Sequence, residues 1–161
     1  MKNLFRMWKN NDTFFRAGAG VVVLDAANNI LMFERSDIPG SFQFSQGGLD
    51  PAENPRVGAF RELLEETGIS IDSVDILGEL PFWVSYMSPT IHKGNDRYHG
   101  QTQRWFYARL HDDYHIDLSK AQDNEFVSYK WVSIHQVVNE IIDFKKGMYT
   151  QIIEYLEKHI L

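Results

Sequence analysis

From Ala19 to Asp25 the chain reads Ala-Gly-Val-Val-Val-Leu-Asp, a β-branched apolar run that ends in Ala26-Ala27-Asn28-Asn29 before a second apolar run, Ile30 to Arg35. Two strand-like runs separated by turn-forming residues predict a β-hairpin. Pro39-Gly40 and Gly47-Gly48 then bracket a short extended piece, Phe42 to Gln46. From Pro55 the period changes to that of a helix. Proline suits a first helical turn and Gly68 suits the position just past the last, which predicts a helix from Pro55 to Thr67. Spaced at 100° per residue, Val57, Ala59, Phe60, Leu63, Leu64 and Thr67 share one side, and Glu62, Glu65 and Glu66 share the other. One face is expected to meet the core and the other to carry acid. Gly58 falls on the acidic side, either leaving room for a ligand or as a tolerated exposed glycine.

Val74 to Met87, Gln101 to Leu110 and Phe126 to Val132 are rich in Val, Phe, Tyr and Trp and read as strands. A polar loop containing Lys93, Asn95, Asp96 and Arg97 separates the first two. Helical periodicity returns over Ile134 to Ile141 and Gly147 to His159, where Met148, Ile152, Ile153, Leu156 and Ile160 recur. Strands interleaved with helices from separate parts of the chain predict an α/β fold, a mixed sheet between helices. No internal repeat or Pro/Ser/Gly-rich linker divides the 161 residues, so a single domain over 1–161 is expected.

Charge complicates the choice of partner. With 16 basic against 22 acidic residues the formal net charge is −6, which repels nucleic acid and polyphosphate on average and demands a local device for any anionic substrate. The absence of cysteine excludes disulfides, thiolate zinc sites and cysteine nucleophiles. The amino-terminal MKNLFRMWKNNDTFF has charges through its only apolar stretch and lacks a leader pattern, and no apolar run approaches the ~18 residues of a membrane span; a cytoplasmic protein is expected. His111 and His115 lie in an Asp-rich segment without the spacing of a zinc motif.

Glu62, Glu65 and Glu66 stand at i, i+3 and i+4, where like charges repel by a few tenths of a kcal/mol per pair (~0.2–0.5). Such a patch is either a solvated acidic face, with Arg61 relieving Glu65 one turn on, or a seat for a hard divalent cation that takes oxygen ligands. The flanking residues choose between the two. Gly47, five residues, Glu53, seven residues, Arg61-Glu62, Leu63, Leu64, Glu65-Glu66, Thr67, Gly68 and Ile69 match every specified position of the Nudix box, which the segment 47–69 closely resembles. A chance match in one chain is well below about one in a million.

The resemblance implies a Nudix-type α/β/α sandwich that hydrolyses a nucleoside polyphosphate with Mg²⁺, Mn²⁺ substituting, about two or three ions acting with the substrate. It implies Glu62, Glu65 and Glu66 as metal ligands, one of the last two taking the proton of the attacking water, and the Gly47 carbonyl as a further ligand. Glu53 and Arg61 take the structural role of pinning loop to helix. Phe15-Arg16, Gln43-Phe44-Ser45-Gln46-Gly47-Gly48, Gly100-Gln101-Thr102-Gln103-Arg104-Trp105-Phe106, Glu125-Phe126 and Phe144-Lys145-Lys146 with Tyr149 resemble one branch of that family, the bacterial RNA pyrophosphohydrolases and asymmetric diadenosine tetraphosphate hydrolases. The chain departs from that branch at Ser45, where it has proline, and at Phe42 and His99.

That branch implies Glu125 as a fourth metal carboxylate and Arg16, Gln46, Tyr86, Gln103, Arg104 and Lys145 around the polyphosphate. Phe144 with Lys145 would hold a purine, an aromatic face and a cation accepting any base. The implied partner is the 5′ end of RNA, in mRNA decay, or else a dinucleoside polyphosphate cleaved to ATP and AMP; the loop from Ser88 to His99, with His92, Lys93 and Arg97, is a further candidate contact. A non-catalytic nucleotide-sensing module is the reading from another class, and loss of a metal carboxylate would mark it. Glu53, Glu62, Glu65, Glu66 and Glu125 account for most of the acid excess, so the imbalance is itself concentrated where cations are expected.

Overall fold

The computed structural model describes residues 14–89 and 98–160. The amino-terminal stretch before Phe14 and the loop residues His92, Lys93, Asn95, Asp96 and Arg97 lie outside them.

Strand β1 (Phe14–Leu24) and β2 (Ile30–Arg35) flank a turn built on Asp25, whose Oδ1 accepts from the backbone N–H of Ala27 at 2.9 Å and of Asn29 at 2.7 Å. Asn28 takes the left-handed conformation there, φ 63°, which asparagine tolerates better than most residues. The expected hairpin exists only at this turn. The strands pair at Leu24 and Ile30 and then part, because each finds other partners: β3 (Phe42–Gln43) pairs with β2, and β4 (Ser45–Gly48) with β1. The short extended piece therefore wedges the sheet open, and Gly47 and Gly48 are delivered into the opening.

The far edge of β1 runs parallel to β7 (Tyr98–Leu110) along its whole length, while β8 (Phe126–Val132) pairs antiparallel with β2. The segment read from sequence as one strand, Val74 to Met87, is two: β5 (Val74–Glu79) and β6 (Val84–Met87), each antiparallel to a different stretch of β7. Pro81 lies between them and has no N–H for a ladder.

Helix α1 (Pro55–Thr67) covers one face of this mixed sheet, and α2 (Lys146–His159) the other, preceded by 3-10 turns at Ile134–Asn139 and Asp143–Lys145. The first carboxy-terminal helix of the sequence reading is thus a 3-10 turn that stops at Asn139. Alternation along β7 sorts its side chains: Trp105 and Tyr107 join the α2 core, Phe106, Ala108 and Leu110 the α1 core. In the α2 core Phe44 and Tyr149 pack with tilted rings 4.5 Å between centroids, with Trp105 edge-on to both. No helix among the described residues is long and apolar enough to cross a membrane.

Candidate active site

Helix α1 begins where Asn54 accepts a hydrogen bond from Arg56 N at 2.9 Å with Pro55 behind it, and ends on Gly68, whose positive φ of 76° lets its N–H reach Leu64 O. These caps fix which residues face the sheet. The buried set is Gly58, Ala59, Phe60, Leu63, Glu66 and Thr67, whereas Val57 and Leu64 are exposed, at 62% and 39%. The even division into apolar and acidic faces is therefore corrected: the β3–β4 segment covers part of the acidic side. Gly58 is corrected with it, since a Cβ there would strike Leu49 and Glu53, so it makes room for the chain's own loop.

Arg61 is the hub of that loop. Its Nε and Nη2 donate to the two carboxylate oxygens of Glu53 at 2.8 and 2.9 Å, Nη2 also reaches Gly48 O at 3.0 Å, and Nη1 donates to Glu62 Oε1 and Glu65 Oε2, both at 3.0 Å. Glu53 accepts in addition from Asp50 N at 2.9 Å. The Arg61 guanidinium, helped by that N–H, holds the Glu53 carboxyl at about 2, and the carboxylates in turn raise Arg61. Helix and loop are thereby tied through one side chain.

Glu62 lies directly against Gly47, where a Cβ would collide with its carboxylate; Gly48 is similarly overlain by the Arg16 guanidinium. Glycine at these two places is a requirement of close approach. Glu66 is buried, accepting from Ser45 Oγ at 2.7 Å and Gln46 N at 3.1 Å. Burial raises its carboxyl well above the usual range, the neighbouring charges of Glu62 and Glu125 push the same way, and the two hydrogen bonds oppose. Burial raises Glu62 as well. Glu125 comes from the loop before β8, which Gln122 N and Asp123 N pin to Glu65 O at 2.7 and 3.3 Å. Chain from beyond β7 thus returns to the end of α1.

Among the described residues no three carboxylate or imidazole groups converge in the arrangement of a formed metal site, and Arg61 Nη1 sits between Glu62 and Glu65. The donor chemistry nonetheless fits a hard divalent cation. Glu62, Glu65, Glu66, Glu125 and the Gly47 carbonyl offer oxygen alone, Arg61 engages only one oxygen each of Glu62 and Glu65, and the buried Glu66, raised further by the charges of Glu62 and Glu125, has no cation partner among the described residues.

Beside these acids opens a cavity of about 890 Å³, with Arg16, Arg35, Tyr86, Glu125, Phe144 and Lys145 in its wall. Lys145 is 3% exposed and donates to Gln43 Oε1 at 2.9 Å; its Nζ lies 5.1 Å from the Tyr86 ring centroid. Burial, then the charge of Arg35, lowers the ammonium to about 8. Tyr86 packs against Phe144 with centroids 5.8 Å apart, and burial pushes its hydroxyl up to about 12.

Three expected phosphate contacts stand apart from the cavity wall. Gln46 and Gln103 are buried and do not line it, Gln103 Nε2 donating at 2.9 Å to the oxygen of Gln101, which does. Arg104 is on the opposite face of the sheet, because alternation along β7 turns it toward the α1 side. It pairs there with Glu79 Oε2 at 3.1 Å and lies over the Trp83 ring, in a shallower depression of about 430 Å³. Arg104→Ala is accordingly expected to change kcat/KM by less than about twofold, the guanidinium being turned away from the cavity and paired with the exposed Glu79; steady-state kinetics on a nucleoside 5′-polyphosphate checks it.

Arg35 is the residue that sequence reasoning missed. It ends β2 in the cavity wall, held by a two-pronged ion pair with Asp37 at 2.8 and 2.6 Å. A charged residue closing the apolar run Ile30-Leu31-Met32-Phe33 was the available signal.

The Nudix domain model matches residues 14–153. An RNA pyrophosphohydrolase of a Nitratiruptor species is 41% identical over 125 residues, covering 77% of this chain and 79% of that protein. Nudix hydrolase 25 of Arabidopsis thaliana is 33% identical over 87% of this chain and 85% of its own length. A C. elegans Ap4A hydrolase superposes with a TM-score of 0.66 at 19% identity, covering 89% of this chain and 98% of that one. With the box geometry in place, the wedge-opened sheet between α1 and α2 and the match over most of its length, this chain belongs to the Nudix hydrolase family.

Proposed function

We propose that this chain is a Mg²⁺-dependent RNA pyrophosphohydrolase, acting in the cytoplasm as a single Nudix domain to convert 5′-triphosphate or 5′-diphosphate RNA to the 5′-monophosphate. The observation that carries the reading is the adjoining of two opposite environments: the buried Glu66 with the part-buried Glu62 whose charge repels it, and a cavity walled by Arg16, Arg35, Lys145 and the Tyr86–Phe144 pair. The first suits divalent cations, the second a purine carrying a polyphosphate. The activity named for the bacterial relative at 41% identity supports the choice of RNA.

When bound, Mg²⁺ polarises phosphoryl oxygens and makes bound water a nucleophile near neutral pH. Glu62, Glu65, Glu66 and Glu125, with the Gly47 carbonyl, would hold about two or three such ions; Mn²⁺ has the same oxygen preference. Glu65 is one-third exposed whereas Glu66 is enclosed by Ser45 and Gln46, so Glu65 is the carboxylate positioned to accept a proton from an incoming water. Arg61 keeps Glu62 and Glu65 on one side of the helix. Arg16, Arg35 and Lys145 balance phosphate charge, and Phe144 supplies a stacking face.

Kinetics side by side on 5′-triphosphate RNA, 5′-diphosphate RNA and diadenosine tetraphosphate, with products resolved, test the substrate. Higher kcat/KM on RNA is expected; a preference of about tenfold or more for the dinucleotide overturns the choice. Phe144→Ala is expected to raise KM for a purine 5′ end by about tenfold with kcat little changed, base stacking being worth ~1–3 kcal/mol. Equal kinetics for the variant would show that the ring only packs against Tyr86.

A further inference from the structure

The four residues Gln43 to Gln46 are gripped from both sides of the sheet. On the α2 side the Lys145 ammonium donates to Gln43 Oε1, and Phe44 N donates at 2.9 Å to the hydroxyl oxygen of Tyr149, a fully buried side chain of α2. On the α1 side the next two residues hold Glu66, through Ser45 Oγ at 2.7 Å and Gln46 N at 3.1 Å. Ser45 is itself wholly buried and paired with Val21 of β1. Nothing softer than a peptide unit separates the Tyr149 contact from the Glu66 contact.

We infer that Tyr149 is a positioning residue for Glu66: its hydroxyl fixes the Phe44 peptide, that peptide fixes Ser45, and Ser45 fixes the direction in which the Glu66 carboxylate presents its oxygens. The inference rests on the reading of Glu66 as a metal ligand. A carboxylate that must meet a cation at a defined distance is sensitive to the hydrogen bonds behind it, and losing such a bond ordinarily weakens metal binding about 10–100-fold. Packing alone does not explain the contact. The ring of Tyr149 already packs at a tilt on Phe44 and meets Trp105 edge-on, and phenylalanine would serve both contacts; the hydroxyl adds one thing, an acceptor for a buried N–H that otherwise has none in the strand-to-strand crossing. The same four residues also join Lys145 in the cavity wall to Glu66, so the two halves of the site share one strut.

The test is calorimetric titration of the full chain with Mn²⁺ and no substrate, on wild type, Tyr149→Phe, Ser45→Ala and the double variant. Each single change is expected to weaken Mn²⁺ binding about tenfold, and the double variant no further than the weaker single, because both act on one carboxylate. In turnover the loss is expected in kcat, with KM unchanged. Unaltered Mn²⁺ affinity in Tyr149→Phe alongside a lowered Tm overturns the inference and leaves Tyr149 as packing; losses that multiply in the double variant overturn the shared route. Should Tyr149→Phe fail to fold, amide hydrogen exchange on the wild type decides: exchange at Phe44 is expected to slow on Mn²⁺ addition, by reciprocity of the coupling, and an unchanged rate overturns it. Wild type that binds no Mn²⁺ removes the metal reading of Glu66 and this inference with it, a result distinct from wild type that binds while Tyr149→Phe is indifferent.

Discussion

Glu66→Gln is expected to lower kcat by about 100-fold or more while making the metal-free protein more stable, an opposition of signs that few structural substitutions produce. Glutamine keeps an oxygen for Ser45 Oγ and Gln46 N but removes a charge that burial and the neighbouring Glu62 and Glu125 all disfavour. The pH dependence follows from the direction of the shift. A carboxyl raised above its unfolded value binds its proton more tightly in the native state, so its contribution to stability is full below the unfolded pKa near 4.5 and is lost as pH rises through the raised native value. Thermal unfolding in chelator should therefore show wild type losing stability as pH climbs above about 4.5, with Glu66→Gln flatter over the same range. Mg²⁺ should restore wild type and do little for the variant. A variant that keeps full kcat would remove Glu66 from the metal site.

Lys145→Met is the second large effect. Its ammonium is almost wholly buried, with Gln43 as hydrogen-bond partner and the cavity before it. Losing a charged hydrogen-bond donor to phosphate costs ~2 kcal/mol, about 30-fold in kcat/KM. Stability again moves the other way. The native ammonium titrates at about 8, below its ordinary value of 10.5, so the folded state carries the cost of a buried charge below pH 8 and sheds it between 8 and 10.5. Wild type should gain stability across that window and Lys145→Met should not. Affinity for the polyphosphate should decline in wild type as pH rises through about 8, where the free enzyme loses the cation, and be independent of pH there in the variant; a parallel decline in both would assign the effect to another group.

Much of the local architecture was legible because it is encoded within a few residues. The α1 boundaries follow from Pro55 and Gly68, each of which acts on its own neighbours, and β2 and β8 follow from short runs rich in β-branched and aromatic residues. The strand reading of Val74 to Met87 failed because one proline outweighed the propensity around it. The acidic helix face was misjudged for a different reason. Periodicity ranks sides of a helix by polarity, yet which side is buried depends on what is laid against it, and here the earlier strand β4 covers Glu66.

The same division holds for function. The Nudix box and its oxygen-only donors are properties of order and spacing along the chain, since residues at i, i+3 and i+4 are neighbours on a helix surface whatever surrounds it. Family, helix and class of metal could therefore be read from the residues in line. Long-range packing was needed to bring Glu125 back to the end of α1, to turn Arg35 into the cavity and Arg104 away from it, and to set the Tyr149 hydroxyl against Phe44 N. Those outcomes turn on register and side-chain alternation between strands far apart in sequence. A shift of one residue in pairing exchanges the two faces of a sheet, and no local signal records which face a distant partner will choose.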